Sequence, residues 1–353
     1  MPSVAPSDPL LRLKNPSPDY PAVAIVGPTA SGKSALAVAI AERLGGEVVN
    51  YDSVQVYRGF DIGSGKLREN EQRGIPHHLL GIAAAGETMT AGEYRRRARQ
   101  VLESIRARRS LPVLAGGTGL YLRSLTDGLF EGPARSEEFR DRLRQIAARR
   151  GRGFLHKMLR RLDPPAAQRI HARDTQKVVR AIEVCWLAGE AMSQLHSKGR
   201  SGIPGFRFIK IGLDPDRSRL HDRINRRVER MFGEGLLEET RAALSQLEDQ
   251  GGALPGPLQA LGYRQAVAVL KGEKPRARAI QDAQIATRHY AKRQMTWFRK
   301  EAGVCWFHGF GDQEETIRRV LDHVRSQPAG WPEPESGKPL PGHPKHFPER
   351  ENS

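Results

Sequence analysis

Ala22-Val23-Ala24-Ile25-Val26-Gly27-Pro28-Thr29-Ala30-Ser31-Gly32-Lys33-Ser34 is the stretch that decides the fold. A short apolar run, a glycine turn and an apolar-rich continuation to Leu44 read as strand, loop and helix in succession. Gly27 to Ser34 matches G-x-x-x-x-G-K-[ST], and the flanking strand and helix supply the context that this pattern requires. Glycines let backbone N–H groups curl around phosphate oxygens, and the helix start adds positive potential. Lys33 neutralises charge, and the Ser34 hydroxyl is a ligand for Mg²⁺. The motif therefore predicts that Gly27, Pro28, Thr29, Ala30, Ser31, Gly32, Lys33 and Ser34 bind a pyrophosphate. A glycine turn that merely opened a helix would have no need of Gly-Lys-Ser at this spacing.

Two further strands lie downstream. One spans Glu47 to Tyr51 and ends in Asp52; the other spans Leu111 to Ala115 and ends in Gly116-Gly117-Thr118-Gly119. Strands separated by helical stretches predict an α/β fold, a P-loop core whose parallel sheet is flanked by helices, with its ligand crevice beyond the strand C-termini. Strand signals stop from about Ser136 to Arg200, where Phe139, Leu143 and Ile146 recur at helical spacing among many arginines. Phe206 to Leu213 reads as another strand, and Arg219 to Leu244 as a helix pair hinged at Gly233 and Gly235. The expected organisation is a leader at 1–20, a discontinuous core at 21–130 and 200–325, a basic, mostly helical insertion at 131–199, and a tail at 326–353. Leader and tail are rich in proline and polar residues and are expected to be disordered.

The chain has 353 residues, against a soft prior of about 150 per domain, so a core with a sizeable insertion is within reach. No apolar run approaches the roughly 20 residues needed to span a bilayer, and the first twenty residues lack the apolar region of a secretory signal. No membrane role is expected. Cys185 and Cys305 are too few for a disulfide framework or a cysteine-based zinc site, which fits a cytoplasmic location. The 57 basic and 40 acidic residues leave a net charge of +17, a field that attracts polyanions and makes nucleic acid the first partner to test.

What carries the pyrophosphate is open at this point, because such a loop reads phosphates and not the group attached to them. ATP is the default. Yet an ATP hydrolase normally needs, besides the loop's own strand, another strand ending in an acid that holds Mg²⁺ and orients water, and here the third strand ends in Gly-Gly-Thr-Gly instead. Asp52 is the well-placed carboxylate, among hydrogen-bonding neighbours that include Ser53, Val54 and Gln55. That arrangement suggests the positioning of a nucleophile.

The sequence resembles the tRNA dimethylallyltransferases, also called tRNA isopentenyltransferases, from about Val23 to Phe307. The resemblance rests on GPTASGKS at Gly27–Ser34, DSVQVYRGFDIGSGK at Asp52–Lys66, PHHLL at Pro76–Leu80 and GGTGLY at Gly116–Tyr121. It continues through DTQKVVRAIE at Asp174–Glu183, QALGYRQA at Gln259–Ala266 and TRHYAKRQMTWFRK at Thr287–Lys300. Departures are small: Ser34 where Thr is common, Gly65 where Ala is frequent, and Lys177 where a tRNA-contacting Arg is usual. Lys offers a point charge where Arg offers a planar fork. The cysteines of the zinc finger found in eukaryotic members are missing, so the chain looks bacterial in type.

The resemblance implies transfer of a dimethylallyl group from dimethylallyl pyrophosphate to N6 of adenosine 37, beside the anticodon, with Mg²⁺ as cofactor. In that reading Asp52 is the general base, while Thr29, Lys33 and an arginine, Arg223 or Arg227, stabilise the pyrophosphate as it leaves. Asp52 read without the family is a helix cap or turn residue. An adenine in a stacked loop must be extruded to react, which predicts a channel entered from both sides. Contacts to the tRNA anticodon stem-loop are expected from Asp52, Ser53, Val54, Gln55, Thr118, Arg140, Gln176, Lys177 and Arg180. Gly262, Tyr263, Arg264, Lys292, Arg293, Gln294, Trp297 and Arg299 complete that set.

At helical pitch Arg288, Lys292 and Arg299 share a face, with Tyr290 and Trp297 pointing the opposite way, toward the core. The insertion arginines are expected to clamp the anticodon stem by shape and phosphate. Adjacent His77 and His78 read as structural hydrogen bonders, and Cys185, Trp186, Cys305 and Trp306 as packing residues. A monomer is expected. Three rivals stay on the page: a transferase acting on free adenylate, a P-loop kinase or RNA-stimulated ATPase, and a noncatalytic RNA-binding protein.

Overall fold

The computed structural model describes residues 19–130, 132–197, 199–246 and 256–327; the leader to residue 18 and the tail from residue 328 lie outside the described residues. In chain order the strands are β1 (Tyr20–Val26), β2 (Gly46–Asn50), β3 (His77–His78), β4 (Leu111–Ala115), β5 (Phe206–Asp214) and β6 (Val304–His308). Helices α1 (Lys33–Leu44), α2 (Ala91–Ala107) and α3 (Gly119–Thr126) alternate with the first four strands. Then come α4 (Glu137–Arg150), α5 (Arg152–Leu162), α6 (Pro164–Arg169), α7 (Thr175–Ala188) and α8 (Met192–Ser197). After β5 follow α9 (Arg217–Gly233), α10 (Leu236–Ser245), α11 (Tyr263–Leu270), α12 (Arg276–Phe298) and, after β6, α13 (Glu314–Arg325).

The six strands form one parallel sheet in the order β3-β2-β4-β1-β5-β6. In β1 every residue from Pro21 to Val26 is buried, the pattern of a strand covered on both faces. Ala22, Ala24 and Val26 pack with Val49 and Leu114 toward α2, α3 and the α9–α12 helices. Val23 and Ile25 turn the other way, onto Leu36 and Ile40 of α1 and Val320 and Val324 of α13. Alternate residues of one strand thus nucleate two cores. Direction changes at β1, whose neighbours β4 and β5 were reached by crossovers to opposite sides, and such a reversal opens a crevice at the strand C-termini.

The chain divides into two compact units: Thr126–Gly202, slightly wider than the expected insertion, and a unit made of the chain before and after it. The Thr126–Gly202 unit has its own core of Leu143, Leu155, Leu159, Val178 and Ile182. Its helices are capped as the sequence directs, Ser136 accepting from Phe139 N–H and Asp174 from Lys177 N–H. Trp186 is 64 % exposed, stacked on Phe139 at 6.0 Å between ring centroids, so it is not the packing residue expected of it. Cys185 beside it is buried.

Arg140 and Arg180 sit in this unit on a buried carboxylate. Arg140 Nε and Nη2 each donate to Glu183 at 2.8 Å, Arg180 Nη1 donates at 2.6 Å, and Ser136 N–H at 2.9 Å. Burial alone would raise the Glu183 carboxyl, but these donors hold it down at about 2. The guanidinium expected at the RNA is therefore committed to the fold of the unit at Arg140, whose side chain is only 14 % exposed.

Near the other edge of the sheet, His78 Nε2 meets Glu47 Oε2 at 2.7 Å and Arg108 Nη2 donates to the same oxygen at 2.8 Å, while His77 Nδ1 bonds Ile75 C=O at 2.7 Å. Among the described residues no helix is long and apolar enough to cross a membrane, and no group of three or more His, Cys, Asp or Glu is gathered to hold a metal. Removing one partner from a buried charge network costs about 3–5 kcal/mol. Glu183→Gln is expected to lower the stability of the Thr126–Gly202 unit by that amount at neutral pH. Because the native carboxyl is depressed, the native advantage is full above about pH 4.5 and disappears as pH falls toward 2. Denaturant unfolding of both proteins from pH 7 to pH 2 should show the two curves converging.

Candidate active site

Three loops leave the sheet at its C-terminal edge and meet. The phosphate loop follows β1, the Asp52 turn follows β2, and Gly116–Gly119 follows β4. Pairing of Ile25 with Ala115 and of Asn50 with Ala115 puts the three strand ends level. Ala30 adopts φ +64°, a left-handed conformation that costs a non-glycine residue energy and folds the loop tightly before α1. Ser31 Oγ, fully buried in that loop, has no hydrogen-bond partner.

Lys33 points back along its own loop, Nζ donating to Gly27 C=O at 3.0 Å and Pro28 C=O at 2.7 Å. Burial depresses its ammonium to about 7; the charge of Asp52 opposes that shift and the charge of Arg227 reinforces it. Arg227 is likewise depressed by burial, with Asp52 again opposing. Arg223 Nη1 bonds both Asp312 oxygens at 2.9 Å and lies 3.7 Å over the Phe310 ring. Lys33, Arg223, Arg226, Arg227 and Arg230 line one cavity of about 690 Å³, against the carboxylates of Asp52 and Asp312. Thr29, Ala30, Gly32, Ser34, Gln55 and Gln294 complete much of its wall.

A second cavity of about 380 Å³ adjoins it and shares Thr29, Ala30, Asp52, Ser64, Arg227 and Tyr290 with the first. Its far wall is apolar, from Ile224, Val228, Met231, Phe232, Leu236 and Leu261, and its rim carries Ser53, Val54, Gly262, Arg264 and Arg293. Asp52 stands where the two meet. Asp52 Oδ1 accepts from Val54 N–H at 2.9 Å and Gln55 N–H at 3.3 Å, the turn that an isolated reading of the residue expects. Asp52 Oδ2 lies against Gly117, where a methyl group would sit 2.8 Å from it. Oδ1 is thus fixed by the backbone, and Oδ2 lies on the side of the β4 loop. Thr118 Oγ1 accepts from Ser53 N–H at 2.9 Å and donates to Ser53 Oγ at 3.0 Å, joining this turn to the β4 loop.

Helix α12 differs from its expected orientation. Its buried side is Ala283, Ala291, Gln294 and Phe298. Tyr290 turns into the crevice, where burial and then the Asp52 charge push its phenol well up, and its hydroxyl donates to Gly117 C=O at 3.3 Å. Trp297 is 37 % exposed under the Arg123 guanidinium, 4.4 Å from its ring centroid. Arg288 bonds Asn225 Oδ1 at 2.6 Å, and Arg299 reaches Asp214 at 3.4 Å. Gln294, expected at the RNA, is instead a strut: Oε1 accepts from Thr29 N–H at 2.7 Å while Nε2 donates to Gly117 C=O at 3.0 Å.

Tyr263 is also interior, fully buried with its hydroxyl on Glu239 at 2.6 Å. Lys292 is exposed outside both cavity walls. Gln176 and Lys177 lie in the other unit, where Lys177 Nζ pairs with Asp174 at 2.6 Å. Sequence reasoning missed Tyr290, Glu239 and the strut role of Gln294. Each is joined to the site only through tertiary contacts, although all three fall within reach of glycine loops that the sequence did single out.

A P-loop fold whose cationic crevice opens past the Asp52 carboxylate onto a second, partly apolar cavity defines a group-transfer enzyme acting on a diphosphate. The sequence profile of the family described as IPP transferase matches residues 55–301. A tRNA dimethylallyltransferase from Koribacter versatilis is 51% identical over 302 residues, covering 86% of this chain and 97% of that protein. One of the same name from Solibacter usitatus is 51% identical over 304 residues, with 86% and 98% covered. The crystal structure of a full-length tRNA isopentenylpyrophosphate transferase from Bacillus halodurans is 37% identical and superposes with a TM-score of 0.63 over 87% of this chain and 96% of that one. A eukaryotic dimethylallyltransferase acting on tRNA, 23% identical, shares the fold with a TM-score of 0.74 over 88% of this chain and 80% of its own. The chain belongs to this family of tRNA dimethylallyltransferases.

Lys33 is the site's titrating cation. An anion beside it restores its charge, so binding of inorganic pyrophosphate should take up protons and weaken as pH rises above about 7, beyond what the ligand's own titration causes. Calorimetry in two buffers of different ionisation enthalpy measures the uptake. Lys33→Arg, always charged, should abolish the Lys33 component; an unchanged proton count would contradict this assignment.

Proposed function

We propose that the protein transfers a dimethylallyl group from dimethylallyl pyrophosphate to N6 of adenosine 37 in tRNA and releases pyrophosphate, acting as a monomer in the cytoplasm. The observation that carries this reading is Asp52, which stands between a cationic phosphate crevice and a second cavity wide enough for a base. A donor held by its diphosphate in the first cavity directs its allylic carbon toward the second, where the acceptor amine arrives. The lone pair of adenine N6 is delocalised into the ring, so attack needs both an activated carbon and removal of the amine proton.

As the allylic C–O bond breaks, charge gathers on the pyrophosphate. Lys33, the loop N–H groups and Arg227 stabilise it, being fixed before the reaction begins. Arg227 is preferred to Arg223 because it borders both cavities and lies beside Asp52, whereas Arg223 already has a carboxylate partner in Asp312. As the C–N bond forms, Asp52 Oδ2 takes the N6 proton, while Oδ1 stays on the backbone and keeps the carboxylate oriented.

Ser34 suits Mg²⁺, because its hydroxyl lines the phosphate cavity at the helix start and hard cations of this size are bound through few protein oxygens together with substrate phosphates. When bound, the ion neutralises charge on the leaving group. RNA contacts are assigned to the rim of the second cavity, Ser53, Val54, Gly262, Arg264 and Arg293, and to Gln55 in the wall of the first. Thr118 acts through Ser53. Lys292, Trp297 and Arg299 on the surface and Gln176 and Lys177 in the second unit meet the stem-loop backbone.

Mass spectrometry of the anticodon-loop nucleoside, after incubation of dimethylallyl pyrophosphate with unmodified tRNA, tests the assignment. Asp52→Asn keeps an acceptor for the turn and removes the base, so turnover should fall by roughly 10²–10⁴-fold with tRNA binding retained. Prenylation of AMP in place of tRNA, phosphate release from ATP, or tRNA binding without modification would each select a different function.

A further inference from the structure

In the segment Asp61-Ile62-Gly63-Ser64-Gly65, Ser64 borders both cavities, Gly65 the first and Gly63 the second. The turn is closed by Gly65 N–H on Ile62 C=O and Lys66 N–H on Asp61 C=O, both at 3.0 Å, and one carboxylate ties it to α10. Glu239 of α10 accepts three consecutive backbone donors, Asp61 N–H at 2.9 Å and Ile62 N–H at 2.8 Å on Oε2 and Gly63 N–H at 3.1 Å on Oε1. The Tyr263 hydroxyl closes the set with a bond of 2.6 Å to Oε1. Consecutive N–H groups converging on one anion form the concavity that elsewhere binds a ligand, here filled from within the protein.

What the segment does with this anchorage is visible two residues on. Gln55 Nε2 donates to Ser64 C=O at 3.2 Å and to Gly65 C=O at 3.3 Å, and Arg227 Nη2 lies 3.4 Å from Ser64 C=O. Gly65 adopts φ +64°, and a Cβ there would overlap the Arg227 guanidinium, so the arginine rests directly on the backbone of this turn. The height of that turn fixes where the guanidinium sits above Lys33 and Asp52.

We infer that Glu239 is a positioning residue for the transfer reaction, holding the Asp61–Gly65 turn so that Arg227 meets the departing pyrophosphate. This rests on the proposed function and adds a residue that touches no substrate. Glu239→Gln keeps size and one acceptor oxygen but replaces the other with a donor facing N–H groups. Misplacing a catalytic group by about 1 Å can cost on the order of 10²-fold; with part of the anchorage kept, we expect kcat to fall about tenfold or more, with a raised KM for dimethylallyl pyrophosphate and an unchanged KM for tRNA.

The discriminating measurement is the cycle with Arg227→Ala. If Glu239 acts through Arg227, Glu239→Gln costs nothing further in the Arg227→Ala background. Equal losses in both backgrounds, or a lower melting temperature with unchanged kcat per folded enzyme, overturn the inference. Should Glu239→Gln fail to fold, Tyr263→Phe removes one of the four bonds to the carboxylate and should give a smaller loss, again only when Arg227 is present; a loss independent of Arg227 overturns it as well. Wild-type enzyme in the same assay separates the two claims, because a wild type that leaves tRNA unmodified sinks the proposed function, whereas an active wild type with an unaffected variant sinks only this inference.

Discussion

Parallel pairing of β1 with β4 is the constraint on which the site depends. Backbone hydrogen bonds between these strands hold Val23, Ala24 and Ile25 opposite Val113, Leu114 and Ala115, so two glycine-rich loops leave the sheet side by side. Neither loop alone makes a site. Gln294 crosses between them with both ends of its amide satisfied, and a buried amide with one end unpaired would cost about 1–3 kcal/mol. The strut thereby gives the two loops one preferred separation. It also accounts for the orientation of α12, whose buried side is set by Gln294 and its alanine and phenylalanine neighbours and not by its aromatic residues nearest the crevice.

Electrostatics divide the crevice into two ends. Burying a cation without a partner is expensive, and the depressed ammonium of Lys33 and guanidinium of Arg227 register that cost directly. A fold tolerates such groups where a ligand restores their charge, and a diphosphate does so. The apolar wall from Ile224 to Leu261 makes no such demand. Asp52 lines both cavities and so belongs to the boundary between the two ends.

Much of this was legible in the sequence because its causes are local. The strand from Ala22 to Val26, the phosphate loop, the Asp52 turn and the break between α9 and α10 at Gly233–Gly235 each follow from residues within a few positions of one another. The helical unit within 126–202 was legible for the same reason. What the sequence could not carry was the partner of each charge. Arg140 reads as one of many insertion arginines until its buried Glu183 is found 43 positions away, and Glu239 is an ordinary acid on a helix until the N–H groups of residues 61–63 converge on it. The motifs around Tyr263 and Gln294 suggest RNA contact, whereas the structure buries both on protein partners, Tyr263 on Glu239 and Gln294 between Thr29 and Gly117.

The position of the carboxylate separates this crevice from that of an ATP hydrolase. In a P-loop hydrolase the acid that orients water lies close to the phosphates, where a nucleophile can approach phosphorus in line. Here β4, one of the two strands hydrogen-bonded to β1, leads into Gly116 and Gly117, and the Gly117 carbonyl already accepts from Tyr290 and Gln294. The carboxylate comes from β2, one strand further out, and borders both cavities, with Oδ2 lying beside Gly117. In the proposed reaction a base at this junction serves a nucleophile arriving through the second cavity, while the other carboxylate of the phosphate cavity, Asp312, is engaged by Arg223.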